Sequence, residues 1–256
     1  MEERKYTYSR INNLVKRLNI GMLSLGVSFN KKNSNDLIKY LELIKEYQKK
    51  MNITAIRDVN DIIDKHFLDS LSAIQFIQKE VDKSGSNVQL IDIGSGAGLP
   101  GIPIKIFFPD TKMLLLEAKK NKKVFLDTVV SSLELKKTAV LQNRAEKLGK
   151  MAEHREKYHI VVSRAVAQLG VLSEYSLPFC KIGGVMMAFK GSSYVEELRE
   201  SYKVIEKLGG ALESINLIKI PSSEYIRTIL IIRKTFPTPV SFPRRNGIPL
   251  KRPLCF

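Results

Sequence analysis

The sequence predicts an α/β protein with a doubly wound parallel sheet and a helical N-terminal extension. Two observations support this fold class. After Val88, apolar runs of four to six residues alternate with helical patterns. A glycine-rich turn over residues 94–101 joins the first of these runs to the next helix. Nearly continuous apolar strands separated by helices indicate a parallel sheet that is covered on both faces.

The predicted extension covers residues 1–83. Asp36–Met51 and Asp61–Gln78 carry apolar residues at helical spacing. Asn52–Thr54 lies between them in a segment that is rich in turn-forming and capping residues. Ser84–Asn87 is a loop that ends the helical region, so we expect the sheet to begin directly after it.

The region 84–235 supplies the alternating strands and helices. The strand candidates are Val88–Ile93, Lys112–Leu116, Thr138–Gln142, Ile160–Ser163, Val185–Lys190 and Ile226–Arg233. The helix candidates are Leu99–Phe108, Asn121–Glu134, Gln168–Phe179 and Tyr194–Leu208. Since the last strand has no helix before it, it can pair antiparallel with Leu212–Ile220.

The final segment, residues 236–256, has a different composition. It holds five of the ten prolines, four basic residues and no acidic residue. Because proline lacks a backbone donor, the segment is predicted to be an extended basic arm rather than a helix or a central strand.

Composition narrows the class of protein. The 256 residues carry 42 Lys and Arg against 26 Asp and Glu, a net charge of +16. Such an excess favours a polyanionic partner, namely RNA, DNA or an acidic membrane face, although a lysine-rich genome is an alternative explanation. With two cysteines, no apolar run near 20 residues and no signal-peptide pattern, we expect a cytoplasmic protein without a membrane span.

The glycine turn is the most informative motif. Its glycines stand at 94, 96, 98 and 101, after a buried strand that ends in Asp92-Ile93. A dinucleotide-binding turn follows G-x-G-x-x-G, but Leu99 takes the place of its third glycine. The spacing from Asp92 to Gly98 therefore fits S-adenosylmethionine (AdoMet) better than a dinucleotide. A loop without a ligand is the remaining alternative.

A second prediction concerns Glu117, which ends the second strand about 20 residues after the turn. Its two carboxylate oxygens can accept hydrogen bonds from both hydroxyls of a nucleoside ribose. The alternative is a solvated charge beside Lys119 and Lys120.

Several further motifs carry a family resemblance. They are IDIGSGAGLPGIPIKIFFPD, LLLEAKKNKKVFLDTV, NRAEKLG, VVSRAVA, AFKG and FPRRNGIPLKRPL, with MNITAIRD and KHFLDSL upstream. From about residue 36 to its end, the sequence resembles the bacterial small-subunit ribosomal RNA methyltransferase G family, also called glucose-inhibited division protein B. Glu117-Ala118 and Tyr47-Gln48 stand where that family commonly has Asp-Ser and Trp-Asn.

The resemblance implies a Rossmann-like, seven-stranded AdoMet-dependent methyltransferase fold. It also implies transfer of a methyl group to N7 of one guanine, of the guanine-527 class, in the 530 loop of 16S rRNA. Gly94 and Leu99 match cofactor contacts of the glycine loop, in which Gly96 also lies. Ala145 and Glu146 match the pair beside the adenine, and Arg164 matches an arginine close to the methyl donor and the RNA.

Three groups of basic residues are predicted to bind RNA, and the expected partner is 16S rRNA or the 30S subunit. The protein is expected to be a monomer. Phosphate contacts of this kind supply affinity more than sequence choice. The groups are Lys119, Lys120, Lys122 and Lys123; Arg244, Arg245, Lys251 and Arg252; and Lys31, Lys32, Lys49 and Lys50.

The expected chemistry needs no general base, because guanine N7 has a free lone pair and catalysis is then mostly positioning. Arg164 is the candidate catalytic residue, with a structural salt bridge as its alternative role. His66 and Asp69 are predicted to be structural, His66 by packing and Asp69 by capping or pairing. The spacing of the histidines predicts no metal site.

Three other functions remain open from the sequence. They are a methyltransferase for small molecules, a nicotinamide-dependent dehydrogenase, and a non-catalytic ribosome-assembly factor that binds RNA.

Overall fold

A seven-stranded sheet forms the centre of the protein in the computed structural model, which describes residues 2–221 and 223–255. Met1 and Phe256, the end residues of the predicted extension and arm, lie outside the described residues, as does Ser222. The strand order is β3-β2-β1-β4-β5-β7-β6. The strands are β1 Gln89–Ile93, β2 Lys112–Glu117, β3 Thr138–Gln142, β4 Tyr158–Arg164, β5 Cys180–Lys190, β6 Gly210–Lys219 and β7 Ile226–Lys234.

The pairing of the strands confirms the predicted fold class. β1 to β5 pair in parallel, and β7 runs antiparallel to both β5 and β6. The predicted antiparallel partnership of the last strand with the segment around Leu212–Ile220 is therefore confirmed. Because the carboxyl ends of β1, β2, β4 and β5 meet at one edge, that edge is where a ligand is expected.

Helices cover both faces of the sheet. Within the described residues they are α1 Glu2–Ser24, α2 Lys31–Tyr47, α3 Val59–Ile62, α4 Asp69–Leu71, α5 Ile74–Ser84, α6 Gly101–Phe107, α7 Lys120–Ser132, α8 Ala145–Leu148, α9 Leu169–Ser176, α10 Tyr194–Lys207 and α11 Ile248–Lys251. One core joins α1–α7 to one face, and a second joins α8–α10 to the other. None of these helices is long and apolar enough to cross a membrane.

The N-terminal helices share a core with the sheet. Leu37 of α2 and Phe67 belong to the same buried cluster as Leu90 of β1 and Met113 of β2. The hydroxyl of Tyr40, on α2, donates to the carbonyl of Ala97 in the glycine turn. The extension therefore contacts the turn directly and helps to fix its position.

The predicted helix over Asp61–Gln78 is wrong as a single helix. A π-helical segment, Ile63–Leu68, separates α3 from α4, and a turn at Ser72 and Ala73 separates α4 from α5. The apolar spacing indicates helical structure, but one π-turn shifts the phase of the helix. π-Turns often occur at functional sites because they redirect side chains.

The buried carboxylate of Asp69 joins α4 to the sheet. It is fully buried and accepts from two guanidinium groups. Nη1 of Arg164, at the end of β4, lies 2.6 Å from Oδ2. Nε and Nη2 of Arg227, near the start of β7, lie 2.5 and 2.9 Å from the two oxygens. The predicted pairing role of Asp69 is thus observed, with arginines as its partners.

The prediction that residues 236–256 form an extended arm is wrong for the described part of that segment. It contains a helical turn, α11, and Phe242 is buried against the second core. Arg155 donates to the carbonyls of Gly149, Thr238, Pro239 and Phe242. These carbonyls have no strand partner and accept hydrogen bonds from this guanidinium instead. The contacts hold the proline-rich segment against the rest of the protein.

We predict that Asp69→Asn destabilises the fold by about 3–5 kcal/mol, because it leaves two buried guanidinium groups without their counter-charge. Urea unfolding measures the change. Asp36→Asn is the matched control, since Asp36 pairs with the exposed Lys32 on one helix and such pairs contribute only about 0.3–0.5 kcal/mol. Equal stability of the two variants would contradict the assigned role of Asp69.

Candidate functional site

The glycine turn has the backbone conformation that its composition predicts. Gly94, Gly96 and Gly98 have φ values of 71°, 59° and 88°, in the region that favours glycine. The N–H groups of Gly94 and Ser95 donate to the carbonyl of Leu116, at 2.9 and 3.0 Å. The turn therefore crosses over the end of β2, beside Glu117.

Two carboxylates hold this turn. Oδ2 of Asp92 accepts the N–H of Gly101 at 3.0 Å, and burial raises the pKa of Asp92 to about 7. Oε2 of Glu117 accepts the N–H of Gly96 at 2.9 Å, while Oε1 accepts that of Lys119 at 2.8 Å. Each oxygen of Glu117 has a second lone pair, so it can still accept from a ribose hydroxyl.

A first cavity, hollow A, lies beyond the ends of β1, β2 and β3. Its volume is about 100 Å³, and it is open to solvent on one side. Its lining includes Gly94, Leu116, Asn143, Ala145, Glu146, Val166 and Tyr175. The structure thus brings Ala145 and Glu146 together with the glycine turn, 50 residues away in the sequence. Apolar walls with a few polar groups at the rim suit a flat heterocycle.

A second cavity, hollow B, lies on the other side of Gly94, against the N-terminal helices. Its lining includes Thr54, His66, Gly96, Leu99, Lys122 and Arg164. Arg164 donates to the carbonyl of Lys65 at 3.0 Å and to Asp69 at 2.6 Å, and its Nη2 lies 3.3 Å from Nδ1 of His66. Arg164 therefore makes a structural salt bridge, which is the predicted alternative to a catalytic role. It also borders hollow B.

His66 is packed, as the sequence predicts. Its Nε2 lies 2.7 Å from Oγ1 of Thr54. Burial, and then the positive charge of Arg164, lower the pKa of His66 from 6.5 to about 4. The imidazole is therefore neutral near pH 7.

A third cavity, hollow C, opens between the β4–α9 loop and the start of β7. It is lined by Ala165–Gln168 with Lys190, Glu197, Tyr225 and Arg227. Hollow C shares Ala165 with hollow B and Val166 with hollow A, while hollows A and B share Gly94. The three cavities therefore meet at the ends of β1 and β4.

The wall of hollow C is rigidly held. Ala165 has a φ of 55°, which is strained for a residue with a side chain. Nζ of Lys190 donates to the carbonyl of Ala167 at 2.8 Å and to Glu197 at 2.5 Å. Glu197 also accepts the N–H of Leu169 at 2.8 Å. These contacts fix the end of the loop that leads into α9.

The predicted RNA-binding residues fall into two environments. Lys119, Lys120, Arg245 and Lys251 are exposed, and the half-buried Lys122 borders hollow B. Lys123 pairs with Asp127 at 2.5 Å on α7. Exposed cations are available to a polyanion, whereas a cation in an ion pair has a competing partner.

Arg244 is engaged with the protein. Its Nη2 lies 2.7 Å from Oε2 of Glu174, which is almost fully buried, and its backbone N–H also donates to this carboxylate. Three residues later, the N–H of Gly247 donates to Oε1 of Glu146 at 2.8 Å. Glu146 and Tyr175, the neighbour of Glu174, both line hollow A. The C-terminal segment therefore supports two parts of its lining.

Sequence reasoning missed Tyr175, Glu174 and Arg227. One signal was available: Glu174 is the lone acidic residue of the apolar helix α9, and Arg227 lies near the start of a strand whose centre, residues 229–232, is apolar. Charges in such positions need buried partners. Their partners lie 70 and 158 residues away, so the sequence pattern alone does not identify them.

Known protein sequences match this chain over most of its length. The sequence model of the family described as rRNA small subunit methyltransferase G matches residues 33–226. The ribosomal RNA small subunit methyltransferase G of Acetivibrio thermocellus is 44% identical over 234 residues, covering 91% of this chain and 94% of that protein. The same-named protein of Clostridium kluyveri is 43% identical over 230 residues, covering 90% and 94%.

Solved structures agree on the fold alone. The CMeT domain of the citrinin polyketide synthase superposes with a TM-score of 0.50 at 11% identity, covering 66% of this chain and 53% of that one.

We predict that Arg244→Ala weakens binding of AdoMet, the cofactor predicted from the sequence, by about tenfold, which corresponds to 1.4 kcal/mol. The reason is that Glu174 loses its partner and the Tyr175 wall of hollow A loosens. Isothermal titration at a temperature where circular dichroism shows a folded protein measures the effect. Arg245→Ala is the matched control, since Arg245 is adjacent and exposed. Equal AdoMet affinity of the two variants would contradict this role.

We predict a pH-dependent contribution of His66 to stability. As pH falls below 6.5, the unfolded chain protonates at His66 before the folded protein does, so stability is lost down to the folded pKa of about 4. Between pH 7 and pH 5 this loss amounts to about 2 kcal/mol. In urea unfolding at both pH values, the free energy of unfolding of His66→Gln should fall by about 2 kcal/mol less than that of wild type. An equal drop in both proteins would contradict the prediction.

Proposed function

The chain belongs to the rRNA small subunit methyltransferase G family, which is AdoMet-dependent, and we propose that it methylates N7 of the guanine-527-class nucleotide in the 530 loop of 16S rRNA. The observation that carries this proposal is the meeting of three cavities beside Gly94, Ala165 and Val166. Hollows A and B suit the two ends of AdoMet, and hollow C gives a second molecule access to the junction between them.

The residues present fit AdoMet. In hollow A, Leu116, Ala145 and Tyr175 would offer apolar surface to the adenine. Glu117, which lies next to Leu116 and contacts the glycine turn, would accept from the ribose hydroxyls. A Cβ built on Gly94 would lie 2.6 Å from Cγ2 of Val166. The turn therefore lies so close to Val166 that only glycine fits at position 94. When bound, AdoMet supplies an electrophilic methyl group on a positively charged sulfur.

The protein's contribution is to position the guanine. N7 already carries a lone pair, so attack requires alignment and close approach rather than a proton acceptor. The low pKa of His66 agrees with this, because a group that titrates near pH 4 is a poor base at pH 7. We place the target guanine in hollow C, since that cavity borders the other two at Ala165 and Val166.

Arg164 orients the reacting partners in this proposal. Its contacts with Lys65, Asp69 and His66 use three of the five N–H donors of a guanidinium. The remaining donors can hold the guanine edge or a phosphate in a fixed geometry, because Asp69 already immobilises the side chain. Arg164 thus acts from hollow B, next to the site of transfer.

The RNA backbone is held by exposed cations. Lys119 and Lys120 follow β2, on the side of hollow A, and Arg245 and Lys251 lie on the C-terminal segment that supports the same cavity. Neutralised phosphates release counterions, so affinity should fall steeply with salt. Selection of one guanine then depends on RNA shape and on an unpaired, extruded base.

The proposal is tested by Gly94→Asp, which places a side chain against Val166 at a φ of 71°. We expect AdoMet binding to fall at least a hundredfold and methylation of 16S rRNA to be lost, since both strain and bulk oppose the turn. Titration calorimetry measures binding. Labelling of undermodified 30S subunits with tritiated AdoMet, followed by mapping of the labelled nucleotide, measures transfer.

The matched control is Gly85→Asp, because Gly85 also has a positive φ but nothing lies within 4 Å of the added Cβ. It should retain both activities. Label at another atom or nucleotide would overturn the guanine-N7 assignment. Equal transfer to free guanosine would favour a small-molecule enzyme, and a melting shift with NAD but not AdoMet would favour a dehydrogenase. A deletion strain that keeps the modified guanine would favour a non-catalytic assembly factor.

A further inference from the structure

Tyr225 occupies the side of hollow C opposite the β4–α9 loop, and the family resemblance gives this residue no role. We propose that Tyr225, seated on Arg227, is a stacking platform for the unpaired guanine that enters hollow C. This inference rests on the proposed function and deepens it by naming the residue that holds the flat face of the substrate base.

The first argument is the rigidity of the platform. Cζ of Arg227 lies 5.0 Å from the centre of the Tyr225 ring, within the range of a cation–π contact. Arg227 is itself fixed by Asp69 and by a 2.8 Å hydrogen bond to the carbonyl of Lys190. The ring therefore rests on a cation that cannot easily move, and little freedom is lost when a base stacks on it.

The second argument is the position of the ring. Tyr225 is half-buried and lines both hollow C and a neighbouring cavity formed with Tyr194, Leu217 and Ile226. Across hollow C stands the loop Ala165–Gln168, which also borders the two proposed cofactor cavities. A base that enters hollow C therefore lies between this strained loop and the tyrosine.

The third argument is the surface beyond the ring. Leu217 and Ile226 are 59% and 52% exposed, so apolar surface continues outward from Tyr225 along the sheet. Aromatic and apolar surfaces of this kind stack the unpaired bases of single-stranded RNA. Stacking tolerates any base, so Tyr225 would supply affinity and orientation, and other groups would supply the choice of guanine.

The test compares Tyr225→Ala and Tyr225→Phe with wild type. Loss of one base–aromatic stack should raise the KM for undermodified 30S subunits about tenfold or more. The phenylalanine variant keeps the ring and should stay within about threefold of wild type. AdoMet affinity should be unchanged in both. Tyr202→Ala is the matched control, because Tyr202 is 50% exposed on α10 and outside the three cavities.

A spectroscopic measurement separates stacking from a merely structural role. A 16S rRNA fragment with 2-aminopurine at the target position should lose fluorescence on binding to wild type and to Tyr225→Phe, and should stay bright with Tyr225→Ala at saturating protein. Equal quenching by Tyr225→Ala, or an unchanged KM, would overturn the platform. If wild type itself transfers no methyl group to the guanine, the proposed function fails, whatever the variants do.

Discussion

The arrangement of the site depends on one buried carboxylate. Asp69 binds Arg164 and Arg227, which come from β4 and β7 and border different cavities. Without Asp69, two guanidinium groups at such a short separation would repel each other. By holding both, Asp69 joins the N-terminal helices to the functional edge of the sheet. The extension therefore takes part in the candidate site as well as in the scaffold.

In the proposed reaction, the protein both holds a methyl donor and presents a nucleophile to it. Carboxylates accept backbone N–H groups in the glycine turn and so keep the donor side fixed. On the acceptor side, Lys190 and Glu197 brace the loop at Ala165–Gln168. The proposed acceptor, guanine N7, needs no activation, so rigidity on both sides can replace acid–base chemistry in the proposed reaction. A neutral His66 beside Arg164 agrees with that division.

Much of the fold follows from local patterns. The two-residue alternation of buried side chains, visible in Leu90 and Ile91, sends neighbouring residues to opposite faces, and the glycines of the turn allow its positive φ values. Both signals act over a few residues, so the sheet and the turn could be predicted. The placement of Ala145, Glu146 and Arg164 came instead from the family resemblance.

The parts that could not be predicted depend on distant partners. The basic composition of residues 236–256 predicts that Arg244 binds RNA. In the structure, its guanidinium is paired with Glu174, 70 residues earlier in the sequence. Nothing local distinguishes it from the exposed Arg245. Likewise, the π-helical turn that precedes Asp69 does not show in the apolar spacing, because tertiary contacts override helix periodicity there.

The long sequence separation between hollow A and its C-terminal supports has a consequence for biosynthesis. Glu146 and Glu174 leave the ribosome well before Gly247 and Arg244, which complete their contacts 101 and 70 residues later. Until then a nascent chain carries two acidic groups in an apolar layer without their partners. Hollow A, the proposed pocket for the cofactor, therefore gains its last supporting contacts late in translation.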